Sequence, residues 1–340
     1  MSAPPPQRVG VPRQAMVLAA GLGTRLRPLS DDRAKPAMPV CGEPLIRRIL
    51  RWLASAGVTE AVLNLHHRPE TVAAAVGEGR DLGVRVRYSW EQPVVLGSAG
   101  GPRLALPLIE ADPFVLVNGD TLTDVDLAAM SAAHRASGAL VTMAVVPHPD
   151  PARYGGVLAG PGGDVRGFTG PDPSAGAWHF VGVQLASRSA FETLTPGVPE
   201  ETVRRLYPAL IARQPGCVRI FATQASFRDI GTPADYLAAS LAVAAADGGR
   251  ALPAGRDVRI AADARVERSI LWDAVTVGAG SQLVECIVGD GVTIPPGSRF
   301  TRAAIVRARR APAAGERRDG DLLIADLGPA ARTEPASHQA

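Results

Sequence analysis

The stretch LAAGLGTRLRPLSDDRAKPAMPVCGEPLI, residues 18–46, is rich in glycine and proline, and at Lys35 it holds the only lysine in a chain of 340 residues. The apolar run that leads into it, AMVLAA (15–20), reads as a first β-strand. A strand feeding a glycine-rich turn suits anion binding, because glycines let main-chain N–H groups come close to a phosphate. Two common forms of that loop are absent. The dinucleotide pattern GxGxxG would need glycine where Leu26 stands, and no GxxxxGKS or GxxxxGKT occurs.

Downstream, short β-rich runs alternate with amphipathic helical runs, as a parallel sheet covered by helices requires. PLIRRILRWLASAG (44–57) reads as a helix, EAVLNLHH (60–67) as a strand, PETVAAAVGEG as a helix and VRVRYSW as a strand. GGPRLALPLI follows as a helix, PFVLVNGD (113–120) as a strand, DVDLAAMSAAHRASG as a helix capped by Asp126, and ALVTMAVV as a strand. From about 150 to 187, glycine-punctuated strands (YGGVLAG, DVRGF, AWHFVGVQLA) predict an antiparallel flap beside the main sheet. TVRRLYPALIARQ (202–214) and TPADYLAASLAVAAA (232–246) read as helices on either side of one strand, CVRIFATQASFRDI. The expected fold is α/β, a doubly wound, mostly parallel, Rossmann-like sheet.

The period then changes. Ile260, Val277 and Ile294 stand 17 residues apart, as do Val266, Leu283 and Phe300, and Leu271, Val288 and Ile305. Such a repeat is the mark of a solenoid with three short strands per coil and glycine or asparagine-type turns between them. It resembles the left-handed parallel β-helix of hexapeptide-repeat proteins, about three coils long. The expected organisation is a flexible tail at 1–13, a main domain at 14–247, a β-helix at 251–310 and a loose tail at 311–340, to which GDLLIADL could add a last strand.

Composition limits the functional classes. Hydrophobic residues make up 46% of the chain, enough for a sizeable core. A net charge of +3 with 33 acidic residues interspersed fits an anionic small molecule better than nucleic acid. Cys41, Cys217 and Cys286 are too scattered for a disulfide framework or a zinc cluster. No apolar signal segment and no run of 18 apolar residues is present, which predicts a cytoplasmic protein with no membrane partner. His66 and His67, with no third ligand nearby in sequence, read as strand-end residues.

The 18–46 stretch resembles the signature loop of the sugar-1-phosphate nucleotidyltransferases, with glycines, Thr24, Arg25, Lys35, Pro36, Pro39 and Pro44 in register. The resemblance covers about 14–247. It implies an enzyme that joins a nucleoside triphosphate to a sugar 1-phosphate and releases pyrophosphate. It implies a nucleotide site built from Leu18, Ala20, Gly21, Leu22, Gly23, Thr24, Glu91, Gly97, Ser98, Ala99, Gly100, Asn118 and Gly119, with catalytic roles for Arg25, Lys35 and Asp120. EQPVVLGSAGGP (91–102) is similar to the base and ribose segment, whose small residues would let a base lie close to the chain. Asp120 and Asp229, each at the end of a strand, match the aspartates that share Mg²⁺ in the family. A hard dication held by few carboxylates suits two mutually repelling phosphates. Lysine is a compact point charge where arginine is a wide fork, so a chain biased to arginine should keep lysine only where that shape matters. On this reading Lys35 serves the α-phosphate and sugar-phosphate side, while Arg25 and the backbone of 21–24 serve the departing pyrophosphate.

The sugar-phosphate side departs from the family. Thr169 and Gly170 stand where many relatives carry a Glu-Lys pair, so Arg166 or Arg153 would substitute. Tyr154 and Gly155 resemble the sugar-site turn, and Trp178 and His179 are candidates for its lining. Phe180, in place of an asparagine, resembles the N-acetylmuramate 1-phosphate uridylyltransferase branch, whereas the β-helix resembles the mannose-1-phosphate guanylyltransferase branch. The β-helix is also where copies of the chain would associate. Two other functions compete: a non-catalytic regulatory paralogue, which would not need Arg25, Lys35, Asp120 and Asp229 together, and a β-helix acyltransferase, which lacks a histidine base between 251 and 337.

Overall fold

The computed structural model describes residues 10–172, 176–246, 248–249 and 253–328. The expected tails lie outside the described residues at 1–9 and 329–340. Contacts divide the chain into two compact units, and the division does not follow the sequence. One contains the chain up to Leu22 together with Leu45–Arg228, the other Gly23–Pro44 together with the chain from Asp229 onward.

The first unit is built on a nine-stranded mixed sheet. Gln14–Leu18 lies at its centre, parallel to Glu60–Leu65 on one side and to Phe114–Asn118 on the other, and Arg85–Trp90 extends it in parallel at the edge. The helices Leu45–Ser55, Pro69–Val76, Gly97–Ala105 and Leu127–Ser137 alternate with these strands. Asp126 caps the last of them by accepting from Ala128 N at 2.9 Å and Ala129 N at 3.1 Å, as expected. The three inner parallel strands are buried nearly throughout, and Phe114, Leu116, Met143, Phe191 and Tyr207 meet in one apolar core.

Trp178–Ala186 is an integral strand of the main sheet, where the sequence predicts part of a flap beside it. It runs antiparallel to both Phe114–Asn118 and Val141–Pro147. Its register shifts between Phe180 and Gln184, and Gly182 sits in this irregularity at φ 79°. A Cβ there would stand 3.0 Å from the Asn118 side chain, so only glycine lets the strand bend past it. The hairpin of Gly156–Ala159 and Val165–Thr169 alone forms the outer flap. The expected single strand at 217–230 is two, Val218–Ala222 beside Val141–Pro147, and Phe227–Asp229 in a separate ladder.

The second unit carries the repeat. Ile260, Val277 and Ile294 are register partners in one three-stranded ladder; Val266, Leu283 and Phe300 in another; Leu271, Val288 and Ile305 in the third. All three ladders are parallel, as a β-helix requires. The middle and last rungs are the core: Val277, Leu283, Val288, Ile294 and Ile305 are at most 1% exposed, whereas Ile260 on the first rung is 45% exposed. The corners meet the expectation of glycine turns only in part: Gly280 and Gly297 take φ of 66° and 73°, while other corners carry larger residues. Asp257, Ala274 and Gly291 take φ of 57°, 58° and 61°, and Arg268, Glu285 and Arg302 take 47°, 53° and 51°. The last three pair across coils, Glu285 accepting from Arg268 at 3.0 Å and from Arg302 at 2.7 Å. This ladder favours a left-handed corner that side chains normally avoid. The C-terminal segment is also ordered further than expected. Leu322–Asp326 pairs antiparallel with Ala303–Arg307, and Glu316–Asp319 pairs with it in turn.

Because the rungs differ in burial, equal truncations should differ in cost. Ile294→Ala should destabilise the second unit by about 2–5 kcal/mol, and Ile260→Ala by less than about 1 kcal/mol. Denaturant unfolding followed by circular dichroism checks this, and equal losses at the two positions would contradict the packing described.

Candidate active site

The strand ends of the first unit are tied by one chain of buried polar contacts. Ala19 N donates to Asn64 Oδ1 at 2.7 Å, Asn64 Nδ2 donates to Glu91 Oε1 at 2.7 Å, and Leu96 N donates to Glu91 Oε2 at 2.6 Å. These links join the ends of three neighbouring strands to the start of the Gly97–Ala105 helix. Glu91 is 0% exposed, and burial raises its pKa despite the donors from Asn64 and Leu96. Both of its carboxyl oxygens are taken up inside the protein, by Asn64 and Leu96. Asn64, which no sequence motif singles out, is the hub. Gly101 is required beside it, since a Cβ there would lie 2.5 Å from Glu91 Oε1 and 2.8 Å from Asn64 Nδ2.

The glycines of this unit separate into two kinds. At Gly97 a Cβ would lie 2.6 Å from Glu201 Oε1, at Gly100 2.5 Å from Val198 O, and at Gly119 2.5 Å from Leu18 O. Ala99 N and Gly100 N donate to Glu200 O at 2.9 and 3.1 Å, and Ser98 Oγ donates to Glu201 Oε2 at 2.6 Å. Small size at 97 and 100 is thus demanded by the packing of the 198–201 segment. Gly21 differs. A Cβ there would meet no atom within 4 Å, so the chain's own packing does not call for glycine at that turn. Leu18, Ala20 and Leu22 belong to the same strand exit, and Leu22 is 44% exposed. Asp120 follows Asn118 and Gly119 at the end of Phe114–Asn118, half-buried, and Thr121 Oγ1 donates to its Oδ1 at 3.3 Å.

In the second unit, residues far apart in sequence converge. Gly23 takes φ 62° and opens the turn Thr24–Leu26. Lys35 lies on the turn Lys35–Ala37 with its side chain only 11% exposed, and Nζ stands 3.9 Å from Asp229 Oδ1. Around Gly231, a Cβ would lie 2.8 Å from Asp229 Oδ2 and 3.3 Å from Arg25 Nη1. Arg25, Lys35 and Asp229 therefore share one locality. Asp229 is not a helix cap. That part is taken by Thr232 and Asp235, whose reciprocal bonds of 3.1 and 3.2 Å form a capping box ahead of Pro233–Ala246.

The residues expected on the sugar-phosphate side fall at different places around the flap hairpin. Adjacent residues of a strand face opposite ways, and Trp178 packs toward the apolar core while His179 takes the other face. The His179 ring lies 5.0 Å from Tyr154, 5.2 Å from His148 and 4.5 Å from Phe227. Thus the His179 ring shares the locality of Tyr154, while the Trp178 main chain lies beside Gly156. Arg166 stands at the far end of the hairpin from Tyr154. Thr169 pairs with Gly156 at the Tyr154 end of the hairpin, whereas Val165 pairs with Ala159 at the other, where Arg166 meets Asp164 at 3.4 Å. Arg153, stacked 4.8 Å over the Tyr154 ring, is the arginine at the turn.

Burial, followed by the neighbouring His148, pushes the His179 imidazole down from 6.5 to about 4. The unfolded chain then binds the extra proton as pH falls below 6.5, so stability is full above that value and drains toward pH 4. From pH 7 to pH 4.5 the wild type should lose about 2–3 kcal/mol more than His179→Phe. Urea unfolding at both pH values checks this, and identical losses in the two proteins would exclude a neutral, buried His179.

Residues 14–246 match the family described as nucleotidyl transferase, and residues 250–302 match a GlmU-like C-terminal hexapeptide family. The chain is 31% identical to a mannose-1-phosphate guanylyltransferase of Mycobacterium tuberculosis over 66% of this chain and 63% of that protein. It is 47% identical to an N-acetylmuramate alpha-1-phosphate uridylyltransferase of Neisseria meningitidis over 34% of this chain and 50% of that protein. The chain thus spans 63% and 50% of the lengths of these two relatives. In fold alone it is similar to HddC from Yersinia pseudotuberculosis, with TM-score 0.60 and 24% identity over 68% of this chain and 99% of that one. The chain belongs to the nucleotidyl transferase family, its family domain followed by a hexapeptide-repeat β-helix.

Proposed function

We propose that the protein transfers a nucleotidyl group from a nucleoside triphosphate to a sugar 1-phosphate, giving a nucleotide sugar and pyrophosphate. The observation that carries this reading is the convergence of Arg25, Lys35 and Asp229 in the second unit, with the chain's sole lysine buried beside a carboxylate. A buried ammonium group costs desolvation, which is offset when an anion is nearby. A substrate phosphate would add a second, stronger partner on the same side chain.

An oxygen of the sugar phosphate would attack the α-phosphorus in line, and the bond to the β-phosphate oxygen would break, its electron pair leaving with pyrophosphate. The nucleophile is already ionised, so no general base is required. What this chain supplies is position and charge. Lys35 would hold the α-phosphate and sugar phosphate, and Arg25 with the main chain of 21–24 would hold the leaving group. Gly21, whose small size the chain's own packing does not demand, supports the cradle. On the acceptor side, Tyr154, Gly155, Arg153 and His179 are the proposed contacts.

Mg²⁺ is the proposed cation, with Asp120 and Asp229 as its protein ligands. Among the described residues no group of three or more His, Cys, Asp or Glu forms a closed metal cage. Two carboxylates fit an ion that keeps most of its positions for water and phosphate oxygen. Bound there, it would neutralise phosphate charge.

The test is a pyrophosphate-release assay with Mg²⁺ across GTP, UTP and the other triphosphates, against mannose, glucose, N-acetylglucosamine and N-acetylmuramate 1-phosphates. One pair should turn over, and Lys35→Arg should reduce kcat by about 100-fold on that pair. Wild-type inactivity throughout the matrix would sink the proposed reaction. Full activity of Lys35→Arg would sink the role given to the lysine.

A further inference from the structure

Between the glycine turn and Lys35 stands the tripeptide Asp31-Asp32-Arg33, for which neither a phosphate nor a sugar gives a use. All three side chains engage the C-terminal part of the same compact unit. Asp31 meets Arg310 at 2.8 Å, and Asp32 meets Arg309 at 2.9 Å. Arg33 reaches furthest into the protein. Its Nε and Nη2 donate to Asp290 Oδ2 and Oδ1 at 2.7 and 2.6 Å, and Nη2 also donates to Asp273 Oδ2 at 2.9 Å. Its guanidinium lies 5.2 Å from the centre of the Trp272 ring, and its side chain is 17% exposed.

Asp273 and Asp290 occupy equivalent places in successive coils, 17 residues apart, so the helical repeat stacks two like charges. Such a stack repels itself unless a cation bridges it, and the planar fork of arginine suits two carboxylates at once. Burial would raise the Asp273 carboxyl, but hydrogen bonds from Arg256 and Arg33 outweigh that and hold it below its usual range. A second link runs in parallel. Trp272 Nε1 donates to Tyr236 Oη at 3.1 Å, and Tyr236 Oη donates to Pro39 O, four residues past Lys35. Contacts at 31–33 and at 39 thus bracket Lys35 from both sides.

We propose that the β-helix of this chain is a positioning element for the Lys35 segment, with Arg33 as the positioning residue that docks the segment on Asp273 and Asp290. The β-helix holds the segment from behind, while Lys35 itself faces Asp229. Its consequence for turnover rests on the function proposed above.

The sole lysine provides a readout that does not depend on turnover. Lys35 is the only side-chain amine in the sequence for acetic anhydride to modify, and free N-α-acetyl-lysine added to the reaction serves as the rate standard. Arg33→Met leaves Asp273 and Asp290 unbridged and can unfold the coil. The decisive variant is therefore Arg33→Met/Asp273→Asn/Asp290→Asn, which removes the charges together. The control is Arg268→Met/Glu285→Gln, which removes ion pairs confined to the β-helix.

In the triple variant, with melting temperature retained, acetylation of Lys35 should be about tenfold faster than in the wild type. The control should match the wild type. An unchanged Lys35 rate in the folded triple variant overturns the proposal, as does equal acceleration in the control. Faster acetylation with kcat also down about tenfold supports both the docking and its place in the reaction. Faster acetylation with kcat unchanged leaves the docking in place and overturns Lys35 as a reacting charge.

Discussion

A single buried amide determines where the first strand leaves the sheet. Asn64 accepts from Ala19 N and donates to Glu91, which in turn holds Leu96 N, so three strand ends and one helix start are spaced by three hydrogen bonds of 2.6–2.7 Å. In a low-dielectric interior each bond is stronger than in water, and each unmade one would leave an expensive orphan. The network is therefore all or nothing. The glycine exit at 19–22 and the helix at 97–105 take their places from it. Gly101 and Gly119 then follow from the closeness it imposes, because any side chain there would strike Glu91 or Leu18.

The second unit solves a different problem. The 23–44 loop buries its apolar side chains, with Leu29, Ala34, Met38 and Val40 at 0% exposure and Leu26 at 1%. Charge secures its polar side as well. Asp31 and Asp32 meet arginines, Arg33 meets aspartates, and Tyr236 reaches Pro39. Exposed pairs of this kind contribute little singly, and the Arg33 site gains from being largely buried and multiply bonded. The β-helix that receives them is stiff because its rungs repeat, with Val277, Ile294, Leu283, Val288 and Ile305 filling a narrow apolar interior.

Much of this was legible in the chain. A 17-residue period in Ile260, Val277 and Ile294 is enough to specify three parallel ladders, since only inward positions need be apolar and the register follows from them. Alternating strand and helix patterns likewise announce a sheet covered by helices. The charged corners were not legible. Arg268, Glu285 and Arg302 hold left-handed turns through ion pairs between coils, and a pair 17 residues apart leaves no local mark. His179 and Trp178 are neighbours in sequence, and only the strand's orientation shows which one faces Tyr154. Arg166 and Arg153 looked equivalent until the hairpin register separated them.

Local chemistry by itself determined the classes of residue: a glycine-rich turn after the first strand, one lysine downstream of it, a repeat where a solenoid can close. These follow from spacing and side-chain type, which a sequence displays in full. Tertiary structure alone decided which glycines are required by packing and which face open space, that Glu91 turns inward, and that residues 23–44 belong with the C-terminal unit. Those outcomes depend on hydrogen bonds and ion pairs between residues as distant as Arg33 and Asp290, whose energies exist only after the chain has brought them within 3 Å.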